Sequence, residues 1–285
     1  MAASEDGKDD KTEFVLYRYD PSLAAAVIFA LIFLGITGFH TYKLVTTKTW
    51  FFVCFVIGGY MQVIGYAGRA VSATQSPDWT TPPYVTQTIF LLISPSLFAA
   101  SIYMILSRII LVVDGEHCSP IRRVWLTKLF VLGDVLSFLM QSGGGGMMAG
   151  GTLDAMHNGE RIVILGLIVQ IIFFTLFAVT AALFHRRFAR SVAARVSASS
   201  IPWQRYLTVL YVASGLIMVR SLFRLMEYIQ GNAGFLISRE VFIYVFDGAL
   251  MFLTMGVFAW QHPGELNALL EGIPGKHGYR LDSVG

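Results

Sequence analysis

The chain has 285 residues, of which 55% are hydrophobic and 14% charged, with a mean hydropathy of +0.63. Soluble domains carry about 25% charged residues, so this balance excludes an ordinary soluble enzyme or a nucleic-acid-binding protein and implies a polytopic membrane protein. The net charge of +3 says less than its distribution.

The first twenty residues hold Glu5, Asp6, Asp9, Asp10 and Glu13. They are too acidic for a secretory signal, so the first span is expected to act as the targeting element. Seven stretches are long and apolar enough to cross a bilayer, which needs roughly 20 residues each. They are Leu23–Val45, Trp50–Ala73, Tyr84–Val113, Val124–Met147, Ile162–Phe184, Tyr206–Ile229 and Val241–Trp260. The pattern predicts an all-α seven-helix bundle without an inserted soluble domain. Residues 1–20 form an expected exoplasmic segment, 21–264 the membrane domain and 265–285 a cytoplasmic tail.

Lys and Arg set the orientation, because cytoplasmic loops carry an excess of both. One side holds Lys43, Lys48, Arg108, Arg122, Arg123, Lys128, Arg186, Arg187, Arg190, Arg195, Arg205, Lys276 and Arg280. The other holds Lys8, Lys11, Arg18, Arg161 and Arg239. Thirteen against five places the odd loops and the C-terminus in the cytoplasm and the N-terminus outside. The basic loop between spans 5 and 6 could meet a cytoplasmic protein partner, although the same rule alone accounts for it.

Charges inside the spans are the most informative residues. Arg220, Arg224 and Glu227 run i, i+4, i+7 in span 6, and Glu240, Tyr244 and Asp247 do so in span 7, so each set shares a helix face. Span 2 adds Arg69 and a mid-span Gln62. Span 4 adds Asp134 with Gln141 seven residues on, and span 5 adds Gln170. A charge facing lipid is costly, so such groups usually face the bundle interior or a water-filled cavity. The expected orientation gathers the deep polar groups in the outer half, where Arg69, Arg220 and Arg224 can pair with Asp134, Glu227, Glu240 and Asp247. A hydrated cavity is the functional reading. A salt-bridge network that only holds helices in register is the alternative.

Pro95, between Ser94 and Ser96, predicts a kink in span 3, with the serine hydroxyls satisfying freed carbonyls. The run Gly143–Gly146 predicts close backbone approach, an unwound helix end, or a flexible exit into the loop with Gly150, Gly151 and Gly159. Trp50, Trp79, Trp125, Trp203 and Trp260 lie at or near span ends, as in an aromatic belt. His40, His185 and His262 fall at cytoplasmic span ends but lack metal-site spacing, and Cys54 and Cys118 form neither a disulfide framework nor a metal motif. No GxxxxGK[ST] or GxSxG motif is present, and the middle of the last span has no lysine for a Schiff base. No cofactor, metal or catalytic residue is assigned.

Pieces spread along the chain carry a resemblance. They are Tyr17–Ser22, Gly65–Arg69, Ala99–Tyr103 with Arg108–Ile110, Asp134, Gln141–Gly145, Gly166 with Gln170, Arg220–Arg224 with Glu227 and Gly231, Glu240, Tyr244, Asp247, and His262–Gly264. In this order the chain resembles the RTA1-like family of fungal seven-span proteins, also called lipid-translocating exporters, over about residues 15 to 265. The family usually carries a Glu where this chain has Gln62. The resemblance implies a fungal protein of the plasma membrane or another cell membrane. It implies a role in resistance to toxic lipids, sterol analogues or drugs, or in export or flipping of sphingoid long-chain bases, and for some members in porphyrin movement.

The residues and the resemblance together give the expectation of ATP-independent transport of an amphipathic, lipid-like molecule. Glu227, Glu240 and Asp247 would hold an amine. Arg69, Arg220 and Arg224 would keep the site near neutral, Gln141, Gln170 and Tyr244 would bond hydroxyls, and Asp134 belongs to the same charged set. A seven-helix receptor or sensor of lipid asymmetry or stress is the alternative.

Overall fold

The computed structural model describes residue 17, residues 19–148, 153–191, 203–231 and 234–264, and residue 266. Arg18, Arg195, Gly150, Gly151, Lys276, Arg280, the acidic N-terminal residues and most of the expected tail lie outside the described residues. Seven helices are long and apolar enough to cross a membrane. They are α1 (Leu23–Thr46), α2 (Trp50–Thr74, opening as a 3₁₀ turn), α3 (Thr81–Val112), α4 (Arg123–Met148), α5 (Leu153–Ala189), α6 (Trp203–Ile229) and α7 (Val241–Trp260).

Local chemistry sets the ends. Ser22 caps α1, its hydroxyl accepting from the Ala25 N–H at 3.3 Å, as N-cap serines do. α3 starts earlier than hydropathy alone suggests, because Pro82 and Pro83 occupy its first turn, where proline costs no hydrogen bond. α5 overruns its apolar core at both ends. Its 37 residues correspond to about 55 Å, well beyond a hydrocarbon core of about 30 Å.

α3 is the central element, packed against α2, α4 and α6, while neighbours in sequence pack in turn and α7 closes against α1. Half or more of the apolar residues of α3 are buried, whereas α1, α4 and α5 keep large apolar side chains outward, such as Leu31, Leu132, Leu139, Leu165 and Ile172. That distribution suits a lipid solvent, which does not drive apolar side chains inward. Toward the Lys/Arg-rich end, Phe52, Phe55, Phe98 and Phe258 pack ring on ring at 4.3 to 5.5 Å.

Three expectations change. α4 remains helical through the whole glycine run to Met148, so the run is neither an unwound end nor a flexible exit. The reason is a close backbone crossing: a Cβ on Gly144 would lie 2.6 Å from the Gly159 carbonyl oxygen of α5, and one on Gly159 2.5 Å from that of Gly144. Gly143, Gly145 and Gly146 face open space. Gly144→Ala is therefore expected to cost about 1–3 kcal/mol by overpacking. Gly143→Ala should be neutral or stabilising, since alanine is the better helix former. Thermal unfolding of the two variants side by side checks this.

Secondly, Ser94 does not serve its own helix: its hydroxyl donates to the Gly58 carbonyl of α2 at 2.8 Å. Thirdly, Trp203 is not a belt residue. It is 2% exposed and packs edge-on against Phe188 and His185 of α5. Trp50, Trp125 and Trp260 are exposed at helix ends, as a belt requires.

Candidate functional site

The charged side chains of α2, α6 and α7 meet at the end of the bundle where the chain enters α1. Each arginine there takes one carboxylate: Arg69 with Glu240 at 2.9 Å, Arg220 with Asp247 at 2.7 Å and Arg224 with Glu227 at 2.7 Å. The site is electrically balanced before any ligand arrives.

Arg69 forms a clasp. Its Nε donates to Tyr244 Oη at 3.0 Å, Nη2 to Tyr19 Oη at 2.8 Å and to Glu240, and Nη1 to Gln87 Oε1 at 3.4 Å. The rings of Tyr17, Tyr19 and Tyr244 surround the guanidinium, with centroids 5.2 to 5.9 Å away. Glu240 Oε1 also accepts from Tyr244 Oη and from the Ser22 backbone N–H. One fully buried arginine thus ties α2, α3, α7 and the segment ahead of α1 together. Burial pushes the Tyr19 hydroxyl above its ordinary pKa.

Arg220 is bound differently. Nε engages Asp247 Oδ1, and Nη2 donates to the Leu91 carbonyl of α3 at 3.1 Å. Leu91 stands four residues before Pro95. Its carbonyl is the one that proline, lacking an N–H, leaves without a helix partner. The arginine of α6 fills that vacancy, a role the sequence reading gave to the serines. Asp247 itself lies in a π-helical turn, Tyr244–Ala249, a feature common at functional sites. The widened turn also brings Gly248 against Tyr66 and Phe29, where a Cβ would lie 2.5 Å from the Tyr66 hydroxyl. Pro95→Ala would return an N–H to the Leu91 carbonyl and compete with Arg220. The expected result is a stable protein in which the Leu91 carbonyl bonds within α3, with reduced function, checked by comparing activity with thermal midpoint.

A cavity of about 80 Å³ opens beside these pairs, with Arg220, Arg224, Glu227 and Asp247 in its wall. Tyr17, Tyr19, Tyr84, Gln87, Thr88 and Tyr228 complete its polar lining, and Leu91, Leu92, Ile237 and Ile243 its apolar part. Arg220 Nη1 and Arg224 Nε have no partner among the described residues, so donor capacity remains in the wall. Sequence reasoning missed the α3 contribution. Tyr84, Gln87, Thr88 and Leu91 follow a helical i, i+3, i+4, i+7 pattern, and that uncharged stripe was the available signal. Tyr17 and Tyr19, ahead of the first span, offered none by periodicity.

Of the ten residues singled out from sequence, Arg220, Arg224, Glu227 and Asp247 line the cavity. Arg69, Glu240 and Tyr244 form the adjoining clasp. Asp134, Gln141 and Gln170 lie elsewhere, which corrects the idea of one common set. α4 packs on α5 and α3, so its polar face meets those helices: Gln141 Nε2 reaches Gln170 Oε1 at 3.3 Å and Ser137 Oγ at 2.6 Å. Asp134 pairs with none of the three arginines. Gln62 is fully buried, with neither amide atom partnered among the described residues. The histidines also separate. His40 Nε2 lies 3.0 Å from the Met255 carbonyl with His262 stacked nearby, and His185 contacts Tyr211.

The profile of the family described as RTA1 like protein matches residues 55–268. Protein RTM1 of Saccharomyces cerevisiae is 34% identical, over 87% of this chain and 91% of its own. Protoporphyrin uptake protein 1 of the same organism is 35% identical, over 86% of this chain and 91% of its own. The sphingoid long-chain base transporter RSB1, also of that organism, is 22% identical over 86% of this chain and 72% of its own. No solved structure matches the chain. With most of its length matched, and seven apolar helices to cross the membrane, the chain is an integral multi-pass membrane protein that belongs to the RTA1-like family.

Proposed function

We propose that this protein moves amphipathic, lipid-like molecules across a membrane without ATP, taking the polar head into the cavity between α3, α6 and α7. The carrying observation is the balanced, ion-paired cavity wall of Arg220–Asp247 and Arg224–Glu227 inside the helix bundle. Charges in such a position normally serve a substrate path. A relative named as a sphingoid long-chain base transporter supports a lipid substrate, and one named for protoporphyrin uptake supports a second amphipathic class.

The geometry suggests how a head group is held. The carboxylates are already neutralised, so an amine enters by exchange, taking over Glu227 or Asp247 while the released guanidinium turns to hydroxyl or acidic oxygens of the same head. Tyr84 and Tyr228 offer further hydroxyl partners, and the tail remains among outward-facing Leu and Ile side chains. In the proposed orientation the cavity faces the exoplasmic side of the plasma membrane, and transport there gives resistance to toxic amphipaths. Glu227 pairs within its own helix (i, i+3), and this pair is more exposed than Arg220–Asp247, so its loss should cost the fold less than breaking that pair. Cells expressing Glu227→Gln are expected to lose resistance to a toxic long-chain base at unchanged surface expression. Retained resistance would remove the cavity reading, and a parallel fall in expression would show a structural role.

A further inference from the structure

α4 carries buried polar groups that the cavity does not use. Asp134 is 3% exposed, and neither of its carboxylate oxygens has a hydrogen-bond partner among the described residues. Arg69, Arg220 and Arg224 are committed to Glu240, Asp247 and Glu227, and Arg108 of α3 lies over the Phe51 ring, 3.8 Å from its centroid. α5, packed along α4, has no ionisable side chain between Arg161 and His185. From α3 the group facing Asp134 is Tyr103. Its hydroxyl is equally buried, and the two approach without a well-aligned bond. The Tyr103 ring packs among Phe130, Phe174 and Phe177 at 4.5 to 6.1 Å.

An ionised carboxylate in such surroundings is uncompensated and costs several kcal/mol. The seam between α3, α4 and α5 is uncharged only when Asp134 carries a proton. A metal cation would need a fuller shell of oxygens than one carboxylate and one phenol supply, whereas a proton needs no added space. Polar groups continue from Asp134 along the same face of α4 toward the cavity end: Ser137, whose hydroxyl donates to the Gly166 carbonyl at 2.8 Å, then Gln141, bonded to Ser137 and Gln170. Gln141 Oε1 is also buried without a partner among the described residues.

We propose that Asp134 is a proton-binding site, and that taking up and releasing this proton is linked to transport. The link to transport rests on the function proposed above; the proton site does not. The step is the transfer of one proton between water and the Asp134 carboxylate, with no other bond changed. α3 is the mechanical connection, because the helix that presents Tyr103 to Asp134 also presents the Leu91 carbonyl to Arg220. A shift of α3 that loads or empties the cavity changes the setting of Asp134, and linkage makes the effect reciprocal.

Infrared difference spectroscopy of the full chain in lipid nanodiscs, titrated with pH, tests the site. A carboxylic-acid carbonyl band that titrates, vanishes in Asp134→Asn and shifts its midpoint in Tyr103→Phe is the expected result. No titrating band assignable to Asp134 would overturn the proposal. The link is tested in proteoliposomes with a fluorescent long-chain base. A pH gradient should change the wild-type rate by about fivefold or more, and Asp134→Asn should keep the gradient-free rate but ignore the gradient. A titrating band with a gradient-insensitive wild type would overturn the linkage. A wild type that moves no lipid at all would remove the transport reading, leaving the infrared titration to decide the proton site alone.

Discussion

Asp247→Asn is expected to destabilise the folded protein by about 3–5 kcal/mol, the usual cost of removing one partner of a buried ion pair. Arg220 is 1% exposed. The amide oxygen can still accept from Arg220 Nε and the Leu91 carbonyl from Nη2, but the buried guanidinium loses its counter-charge. The double variant Arg220→Met, Asp247→Leu should recover most of that loss, because replacing a whole buried pair with apolar groups is often neutral or stabilising. Function should not recover with it. The single variant unfolds early, whereas the double variant folds and moves no lipid. Thermal unfolding in detergent alongside a transport assay separates the two effects. A double variant that transports normally would show that the pair only holds α6 against α7.

Arg69→Lys is expected to cost about 1.5–3 kcal/mol, the range for hydrogen bonds to charged groups, although the charge is kept. Lysine presents its donors from one point, whereas the guanidinium fork reaches Tyr244, Tyr19, Glu240 and Gln87 at once. The three tyrosine rings around it also favour a planar cation. Arg69→Gln should cost more, since Glu240 then stands without a cation. Loss of the clasp frees the segment ahead of α1, so Tyr17 and Tyr19 should leave the cavity wall. The thermal midpoint of the three proteins should order wild type, Lys, Gln. A lysine variant as stable as wild type would contradict the clasp.

The helices were legible in the sequence because hydropathy and length decide them, and α7 agrees with its expected bounds to the residue. Ends differed where polar turns continue a helix, as in α5, or where proline opens one, as in α3. Facing charges on α6 and α7 were legible from their spacing. Partner choice was not: Asp134 looks equivalent to Asp247 in sequence, and only the packing of α4 on α5 and α3 separates it from the arginines. The same holds for Pro95. Proline announces a freed carbonyl, but only the crossing of α3 and α6 shows that Arg220 fills it. Glycines at 143 to 146 are alike in sequence, and the approach of Gly159 singles out Gly144.

We propose that the paired cavity of α3, α6 and α7 admits the head of a lipid-like substrate and carries it across. Transbilayer movement of a fluorescent long-chain base, followed in liposomes holding the purified protein and no nucleotide, tests this. Wild type should accelerate movement over protein-free liposomes, while Glu227→Gln and the folded Arg220→Met, Asp247→Leu variant should not. Equal movement with wild type and both variants, or none with a correctly folded wild type, would rule out carriage of the head group through this cavity.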